Sequence, residues 1–185
     1  VEGSVQPIGS QEVGATFEGA HRPLSATFEF NGEEVTIVNN HYSSKGGSAP
    51  ILGVEQPFEQ RQEDPDVNGS LNERRVQAKA VNNFVDDIFA EDADANVVVL
   101  GDLNEFEFIS PLGIVAGTVE STDNGFGIEP TDEAAILNNL VNTVDPDERY
   151  SFIFQGNSQV LDHILISDSL FDGAEFDFVN VNVEF

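Results

Sequence analysis

The chain has 185 residues, with 34 Asp or Glu against 7 Lys or Arg, so its formal net charge at pH 7 is −27. It contains no cysteine, which excludes disulfide bonds, a thiolate nucleophile and a thiolate metal site. No run approaches the roughly 20 apolar residues of a membrane span, and no signal-peptide pattern occurs at the start. The hydrophobic fraction of 39% is sufficient for one domain with a buried core.

The acidic residues are scattered from Glu2 to Glu184 instead of forming a tail. The 15 Phe residues and the β-branched runs argue against a disordered chain. An acidic surface poor in Lys is typical of proteins from salt-loving organisms, where dense salt screens the repulsion between carboxylates. We therefore expect a halophilic, folded domain. If it binds nucleic acid, it should need metal ions and screening salt to do so.

In the first half of the chain, three elements are predicted from local patterns. Residues 23–41 predict a β-hairpin, because Asn31-Gly32 separates two β-rich runs. Residues 43–69 are polar and rich in Gly and Pro, which predicts a long surface loop. Apolar residues at helical spacing predict an amphipathic helix over residues 71–90, and Ser70 to Glu73 has capping-box spacing.

The middle of the chain gives one strong signal and two weak ones. Residues 97–100 are Val-Val-Val-Leu, which predicts a short strand buried on both faces. Residues 105–132 are predicted to be mostly irregular because of their glycines and prolines. Residues 133–144 are predicted to form a short helix.

The last third is predicted to be mainly β-structure. Residues 150–154 and 160–167 are expected to pair as two strands, joined by residues 155–158. The alternating end of the chain, residues 176–185, is expected to be an edge strand. Strands and helices without a regular βαβ rhythm predict an α/β or α+β sandwich.

Polar residues at the end of the predicted buried strand are the first candidates for chemistry. Gly101-Asp102-Leu103-Asn104 places a carboxylate and a carboxamide where open sheets usually bind ligands. The Asp102 carboxylate is suited to hold a hard cation or a water molecule, and the Asn104 amide is suited to donate a hydrogen bond to an oxyanion. The tetrapeptide fits an Asx turn at a strand end equally well, and the residues alone leave both interpretations open.

Two further candidates lie in or after strands. His41 ends the second strand of the predicted hairpin. It is either a catalytic base or an ordinary surface residue. Asp162 interrupts an apolar run, so we expect it to be buried and to have a specific partner, either at a functional site or in a structural hydrogen bond. His163 should face the opposite side of that strand, so Asp162 and His163 should not both reach one site.

Five short motifs, taken in order, resemble the endonuclease/exonuclease/phosphatase superfamily. They are Arg22-Pro23-Leu24, residues 40–47 (Asn-His-Tyr-Ser-Ser-Lys-Gly-Gly), residues 75–78 (Arg-Val-Gln-Ala), Gly101-Asp102-Leu103-Asn104 and residues 161–167 (Leu-Asp-His-Ile-Leu-Ile-Ser). Over residues 21–167 the chain is most similar to the secreted bacterial and archaeal nucleases of that group, relatives of deoxyribonuclease I. The resemblance implies a partial four-layer α/β sandwich of two mixed sheets with flanking helices.

The resemblance also implies metal-dependent hydrolysis of phosphate esters. By that similarity, Asp102 positions or activates the attacking water beside the metal, and Asn104 contacts the scissile phosphate. His41 corresponds to one of two catalytic histidines, and Asp162 corresponds to the carboxylate that orients the other. A divalent cation and imidazoles suit this reaction, because they supply charge neutralisation and proton transfer near neutral pH.

Phosphate and metal contacts complete the implied site. Arg22 falls at the position of a phosphate-binding arginine, and Lys45, in its Gly-rich loop, is either a second phosphate contact or a solvated loop lysine. Asp102 and Asn104 are the implied metal ligands. Mg²⁺ or Mn²⁺ is the expected cofactor, with Ca²⁺ as a third candidate, and nucleic acid or another phosphoester is the expected substrate.

The chain also departs from the family pattern. The family's early strand with an Asn, its Gln-Glu pair with the metal-binding Glu and its late Ser-Asp-His motif are not found at the matching positions, and Gln11-Glu12 lies too close to His21 to be assigned the metal role. We therefore expect residues 1–185 to be a single, incomplete domain from a longer protein. By itself we expect it to be catalytically inert and prone to self-association.

The predicted function is that of an extracellular, metal-dependent phosphodiester hydrolase acting on DNA. Within the same family, a phosphomonoesterase or a hydrolase of inositol or lipid phosphates is the alternative. A non-catalytic module that retains the family scaffold is the alternative from another class. Secretion is expected from the resemblance to secreted nucleases, and the cytoplasm of a halophile is the other location considered.

Overall fold

A computed structural model describes residues 5–7, 16–49, 61–122, 125–154 and 156–179. The strands in these ranges are β1 (Val5–Pro7), β2 (His21–Phe30), β3 (Glu33–His41), β4 (Asn96–Asp102), β5 (Val119–Thr122), β6 (Gly127–Pro130), β7 (Asn138–Asn139), β8 (Phe152–Phe154), β9 (Asn157–Gln159) and β10 (Asp162–Ile166). The α-helices are α1 (Leu71–Glu91), α2 (Ser110–Ala116) and α3 (Asp168–Phe171).

Six of these strands form one mixed sheet in the order β1-β2-β3-β4-β10-β7. β3 and β4 are parallel, and the other neighbours are antiparallel. β5–β6 and β8–β9 are separate two-stranded hairpins. The result is a mixed α/β fold with several sheets and flanking helices, which confirms the predicted fold class.

The core lies between the six-stranded sheet and α1. This helix connects the parallel strands β3 and β4, since parallel neighbours need a crossover and cannot be joined by a tight turn. Alternate residues of β4 project toward one face of the sheet. The side chains of Val97 and Val99 are therefore fully buried in the same apolar cluster as Val81 and Val85 of α1.

Gly101 determines how closely β3 and β4 approach at the end that carries the candidate residues. Its φ of +126° favours glycine, and a Cβ atom there would lie 2.1 Å from the carbonyl oxygen of Asn40. No other residue fits without moving one strand. This contact helps to hold His41 and Asp102 at matching positions at the ends of the two strands.

The strongest local predictions are confirmed in the first half of the chain. The hairpin at Asn31-Gly32 forms between β2 and β3, and the helix extends over Leu71–Glu91. The capping box is wrong, because Ser70 has a left-handed backbone with φ of 57° and makes no side-chain cap hydrogen bond. The strand predicted over residues 97–100 extends over Asn96–Asp102, with one face buried and the other only partly buried.

The weaker predictions fail where short elements depend on tertiary contacts. Residues 105–132 contain α2 and the β5–β6 hairpin, so they are not mostly irregular. Residues 133–144 contain β7 and a 3₁₀ turn, and no α-helix is found there. β8 pairs with β9, whereas β10 pairs with β4 and β7, so the predicted pairing of residues 150–154 with 160–167 is also wrong.

The loop and the chain end also differ from expectation where the structure describes them. Gln62 and Asn68 are buried, so residues 61–69 do not form a simple surface loop, and residues 50–60 of that prediction lie outside the described part. Residues 176–179 are not in a strand. Residues 180–185 and the dipeptide Gln11-Glu12 lie outside the described residues. In the described ranges, no helix has the length and apolar character needed to cross a membrane.

The distribution of basic side chains makes the surface more acidic than the composition alone indicates. All seven Lys and Arg residues are described, and Arg22 is the one among them that is exposed. Arg61, Arg74 and Arg75 are buried. The carboxylates on the surface therefore have few exposed cations to neutralise them.

We predict that the melting temperature rises between about 0.1 M and about 2 M KCl, because the Debye length falls from about 10 Å to below 3 Å and the repulsion is screened. Thermal denaturation followed by circular dichroism measures the effect, with sucrose in place of KCl as the uncharged control. A flat or falling melting temperature in KCl would remove the halophilic interpretation and leave the fold untouched.

Candidate active site

Four titratable side chains form a row across the ends of four adjacent strands. His21 of β2 lies opposite His41 of β3, His41 lies opposite Asp102 of β4, and Asp102 lies opposite Asp162 of β10. Directly opposed residues in neighbouring strands project from the same face of a sheet. The fold therefore brings together the predicted residues His41, Asp102 and Asp162, and it adds His21.

His21 reaches this row because of a β-bulge in β2. From Phe30 to Leu24 the strand pairs regularly with β3, and the register then shifts between Leu24 and His21. Without that shift, Arg22 would lie opposite His41 and His21 would project from the other face. Pro23 suits the bulge because it has no N–H group to lose from the ladder. Sequence reasoning missed His21 because a bulge cannot be read from a hairpin pattern alone.

The distances within the row are short enough for mutual influence. His41 Nε2 lies 3.7 Å from Asp102 Oδ2, in a pair whose side chains are 51% and 34% exposed. The ring centroids of His21 and His41 are 5.0 Å apart. Both imidazoles and the Asp102 carboxylate are thus accessible to a ligand approaching this end of the sheet.

Asp162 is exposed, so the expectation that it is buried is wrong. It begins β10 at the open end of the sheet, where apolar neighbours along the strand do not enclose it. Partial burial and the negative charge of Asp102 raise the pKa of Asp162, whereas a hydrogen bond with the Ser151 side chain and the charge of His41 oppose that rise. Ser151 is the specific partner that the sequence led us to expect.

Asn104 is buried and lies in a tight turn after β4. Its backbone N–H donates to Asp102 Oδ1 at 2.9 Å, and its Nδ2 donates to the carbonyl oxygen of Tyr42 at 3.0 Å. Asn tolerates the left-handed backbone, with φ of 50°, better than most residues. The Asx turn is therefore present, and it orients Asp102 with Oδ2 toward His41. The phosphate and metal roles of Asn104 stay predictions.

Arg22 lies in the bulge and is exposed one residue from His21. Lys45 has a different environment, because its side chain is only 15% exposed and its ammonium group donates to Gln62, Asn68 and Glu105. Burial lowers the pKa of Lys45 to about 8, and the charge of Glu105 opposes that effect. It is not a solvated loop lysine. Its three hydrogens are engaged within the protein, so the predicted phosphate contact has no support from this arrangement.

A buried ionic cluster supports the turn that carries Asp102 and Asn104. Glu105 is fully buried and accepts hydrogen bonds from Lys45, from Arg74 at 2.9 Å and from Asn68 at 2.8 Å. We call Lys45, Asn68, Arg74 and Glu105 the Glu105 cluster. It ties the loop before α1, the helix itself and the segment after β4 to one another. The sequence holds no signal for this cluster beyond a Glu directly after the Gly101 motif.

His163 faces away from the row, as predicted from strand alternation. It is buried, its Nε2–H donates to the carbonyl oxygen of Glu105 at 2.8 Å, and its Nδ1 then accepts from Asn139 at 3.1 Å. Burial lowers the pKa of His163 to about 4. Its role in this arrangement is to hold the backbone of Glu105 against β10.

This buried imidazole predicts a pH-dependent loss of stability. Between pH 6.5 and pH 4, His163 is protonated in the unfolded chain but not in the folded chain. The free energy of unfolding is therefore highest above pH 6.5 and decreases as the pH falls toward 4. The contribution is about 3 kcal/mol over that interval. Urea denaturation at several pH values should show a weaker pH dependence for His163→Gln than for the wild type. His21→Gln, an exposed change, is the control, and equal pH dependence in all three proteins would contradict the assignment.

The row provides only some of the ligands that a divalent cation needs. Among the described residues, no group of three His, Asp or Glu side chains is arranged to hold a metal ion. Asp102 and Asp162 are nevertheless adjacent carboxylates whose charges oppose each other, and a cation would relieve that repulsion. Mg²⁺ commonly binds through one or two carboxylates, with water and substrate phosphates as its other ligands. These two carboxylates fit that donor set.

The comparison with known protein families covers every residue of the row. The family model described as the endonuclease/exonuclease/phosphatase family matches residues 17–184. The chain belongs to the endonuclease/exonuclease/phosphatase family. No curated protein gives a significant match.

Solved structures agree with this family at the level of the fold. The D. rerio TDP2 humanized by 14 mutations has a TM-score of 0.52 and 17% identity, and the match covers 91% of this chain and 52% of that one. Truncated Caenorhabditis elegans TDP2 has a TM-score of 0.51 and 14% identity, with 89% and 52% coverage. At such identities the likeness shows the fold alone. The chain spans about half the length of these two structures.

Proposed function

We propose that this chain carries the active-site face of a divalent-metal-dependent phosphodiester hydrolase that acts on DNA outside the cell. The observation that supports this best is the row His21, His41, Asp102 and Asp162, with Arg22 beside it. Hydrolysis of a phosphoester needs groups for proton transfer and groups for cation binding. The two imidazoles and two carboxylates at this end of the sheet provide both. Family membership supports the same reaction class.

Each residue has a role that follows from its position. Asp102 and Asp162 would hold Mg²⁺ or Mn²⁺, which supplies charge neutralisation and lowers the pKa of water when bound. His41, whose Nε2 lies 3.7 Å from Asp102 Oδ2, accepts or donates the proton. Arg22 contacts a phosphate oxygen. Asn104 holds Asp102 in place through its backbone N–H.

The charge distribution favours contact with a single phosphate and disfavours binding along a long stretch of nucleic acid. Arg22 is the one exposed cation among the seven basic residues, so the protein cannot neutralise a series of phosphates along a duplex. The dianionic phosphate of a monoester would also need more positive charge from Arg22 and the proposed divalent cation than a diester does. A diester carries a single charge at the reacting phosphate and is the better match.

Substrate class is tested with the natural gene product that contains this sequence. We expect plasmid DNA and bis(p-nitrophenyl) phosphate to be hydrolysed faster than p-nitrophenyl phosphate, with Mg²⁺ or Mn²⁺ in about 2 M KCl to screen the acidic surface. EDTA should stop the reaction. Preference for the monoester would favour the phosphomonoesterase alternative, and metal binding without hydrolysis would favour a non-catalytic module. The same assay on residues 1–185 tests the prediction that this chain is inert by itself.

A further inference from the structure

The backbone at His41 is held on both sides. β3 lies between β2 and β4, so His41 has His21 opposite it on one side and Asp102 on the other. The N–H group of the next residue, Tyr42, donates to the carbonyl oxygen of Asp102 at 3.0 Å, and the carbonyl oxygen of Tyr42 accepts from Asn104 at 3.0 Å. The sheet therefore fixes the place from which the His41 side chain projects.

The ring of His41 is less restrained than its backbone. The side chain is 51% exposed, and the 3.7 Å between its Nε2 and Asp102 Oδ2 is longer than the roughly 2.7–3.2 Å of an N–H···O hydrogen bond. The Asp102 carboxylate is thus a charged neighbour that does not fix the ring by a hydrogen bond. Exposed side chains exchange rotamers within nanoseconds unless a contact limits them.

His21 supplies such a contact. The ring centroids of His21 and His41 are 5.0 Å apart, and the ring planes are inclined by 32°. This separation lies within the range of about 4.5–7 Å for aromatic pairs, and the inclination is closer to an offset stack than to an edge-to-face pair. β2 and β4 flank β3 on opposite sides, so the His41 ring lies between the His21 ring and the Asp102 carboxylate.

The bulge in β2 brings about this contact. Regular pairing continued from Leu24 would place Arg22 opposite His41, and the register shift places His21 there. Bulges interrupt the ladder of hydrogen bonds, and next to active sites they re-aim a side chain. Here the result is an aromatic ring against His41, with the exposed Arg22 still at the same end of the sheet.

We propose that His21 is a positioning residue, whose ring stacks on His41 and keeps that imidazole in the orientation that proton transfer needs. This inference rests on the proposed function, in which His41 moves the proton. A general base or acid works only while it is within reach of the reacting group, so a ring that turns away for part of the time lowers the rate. The role requires a flat ring at position 21 and no ionisable group.

The geometry favours stacking over a second acid–base group. Two rings with centroids 5.0 Å apart are close to van der Waals contact, so no phosphate group fits between them. His21 and His41 therefore cannot act as an acid and a base from opposite sides of one phosphate. Asp102, on the other side of His41, separates His21 from the proposed cation site by one strand.

Three substitutions of one exposed residue test the proposal in the natural gene product that contains this sequence. His21→Ala removes the ring, His21→Gln keeps a polar group without a ring, and His21→Phe keeps a ring without nitrogen atoms. Phe30→Ala is the matched control, because it removes a ring that is 74% exposed from the other end of β2. The measurements are kcat and KM for bis(p-nitrophenyl) phosphate with Mg²⁺ in about 2 M KCl, and the melting temperature.

We expect His21→Ala and His21→Gln to lower kcat by about two- to tenfold, which is the range that loss of an aromatic pair predicts. KM should change by less than about twofold, because the substrate contacts stay in place. His21→Phe should recover most of the rate that His21→Ala loses. Phe30→Ala should behave as the wild type, and the melting temperature of all four variants should be nearly unchanged because both sites are exposed.

Several results would overturn the proposal. A rate for His21→Phe as low as that of His21→Ala would show that the imidazole nitrogens act on the proton or the phosphate themselves. A higher KM with unchanged kcat would assign His21 to phosphate binding, and a melting temperature that falls in step with the rate would assign it a structural role alone. An unchanged rate in all three variants would show that the ring contact has no effect.

The proposed function is judged separately by Asp102→Asn. If that variant loses its rate and His21→Ala does not, the positioning role fails and the reaction class stands. If Asp102→Asn keeps the full rate, the proposed function fails and the positioning role fails with it.

Discussion

Replacing Glu105 with Gln is expected to lower the free energy of unfolding by about 3 kcal/mol. Glu105 is fully buried, and it is the carboxylate between Lys45 and Arg74. The substitution keeps the size of the side chain and removes its charge, so the largely buried Lys45 and the buried Arg74 lose the carboxylate that bonds both of them. Breaking a buried pair in this way is costly because the remaining charges stay desolvated.

The matched control is Glu107→Gln, the same chemical change two residues away. The Glu107 carboxylate lies 4.0 Å from Arg149, in a pair that is partly accessible to solvent. Such pairs contribute about 0–1 kcal/mol. Urea denaturation of both variants in high salt measures the difference. If Glu105→Gln is no more destabilising than Glu107→Gln, the Glu105 cluster does not hold this part of the structure together.

Local signals were sufficient for the elements that form the centre of the sheet. The Asn31-Gly32 turn, the helical period after Leu71 and the apolar run before Gly101 each specify an element over a few residues. The predictions fail for short elements whose formation depends on contacts with residues far away in the sequence. α2 has only seven residues, and its sequence signs are Pro111 near its start and Gly117, with φ of 83°, at its end.

The candidate site was predictable in part for a similar reason. Asp102 and His41 end strands that the sequence marks clearly, and parallel strands place their carboxyl ends at one edge. His21 was not predicted, because its position depends on the bulge at Arg22-Pro23. The buried state of Lys45 was not predicted either, since it depends on Asn68 and Glu105, which approach it from distant parts of the chain.

The central claim is that the row is a phosphodiester hydrolysis site, and Asp102 is its most informative residue. Replacing Asp102 with Asn keeps an oxygen that can accept the hydrogen bond from the Asn104 backbone, so the turn and the fold should survive. It removes the negative charge beside His41 and one of the two carboxylates proposed to hold the cation. Groups that act as a unit in catalysis typically contribute orders of magnitude in rate, so we expect a loss of about 10³-fold or more.

The most direct measurement is therefore the rate of metal-dependent hydrolysis of bis(p-nitrophenyl) phosphate by the natural gene product and by its Asp102→Asn variant. Asp87→Asn, which removes an exposed carboxylate on α1, is the control for the change in net charge. We predict that Asp102→Asn loses about 10³-fold or more of the rate with its melting temperature nearly unchanged, and that Asp87→Asn keeps full activity. Hydrolysis by Asp102→Asn at the rate of the unsubstituted protein would contradict the assignment of this row as the active site.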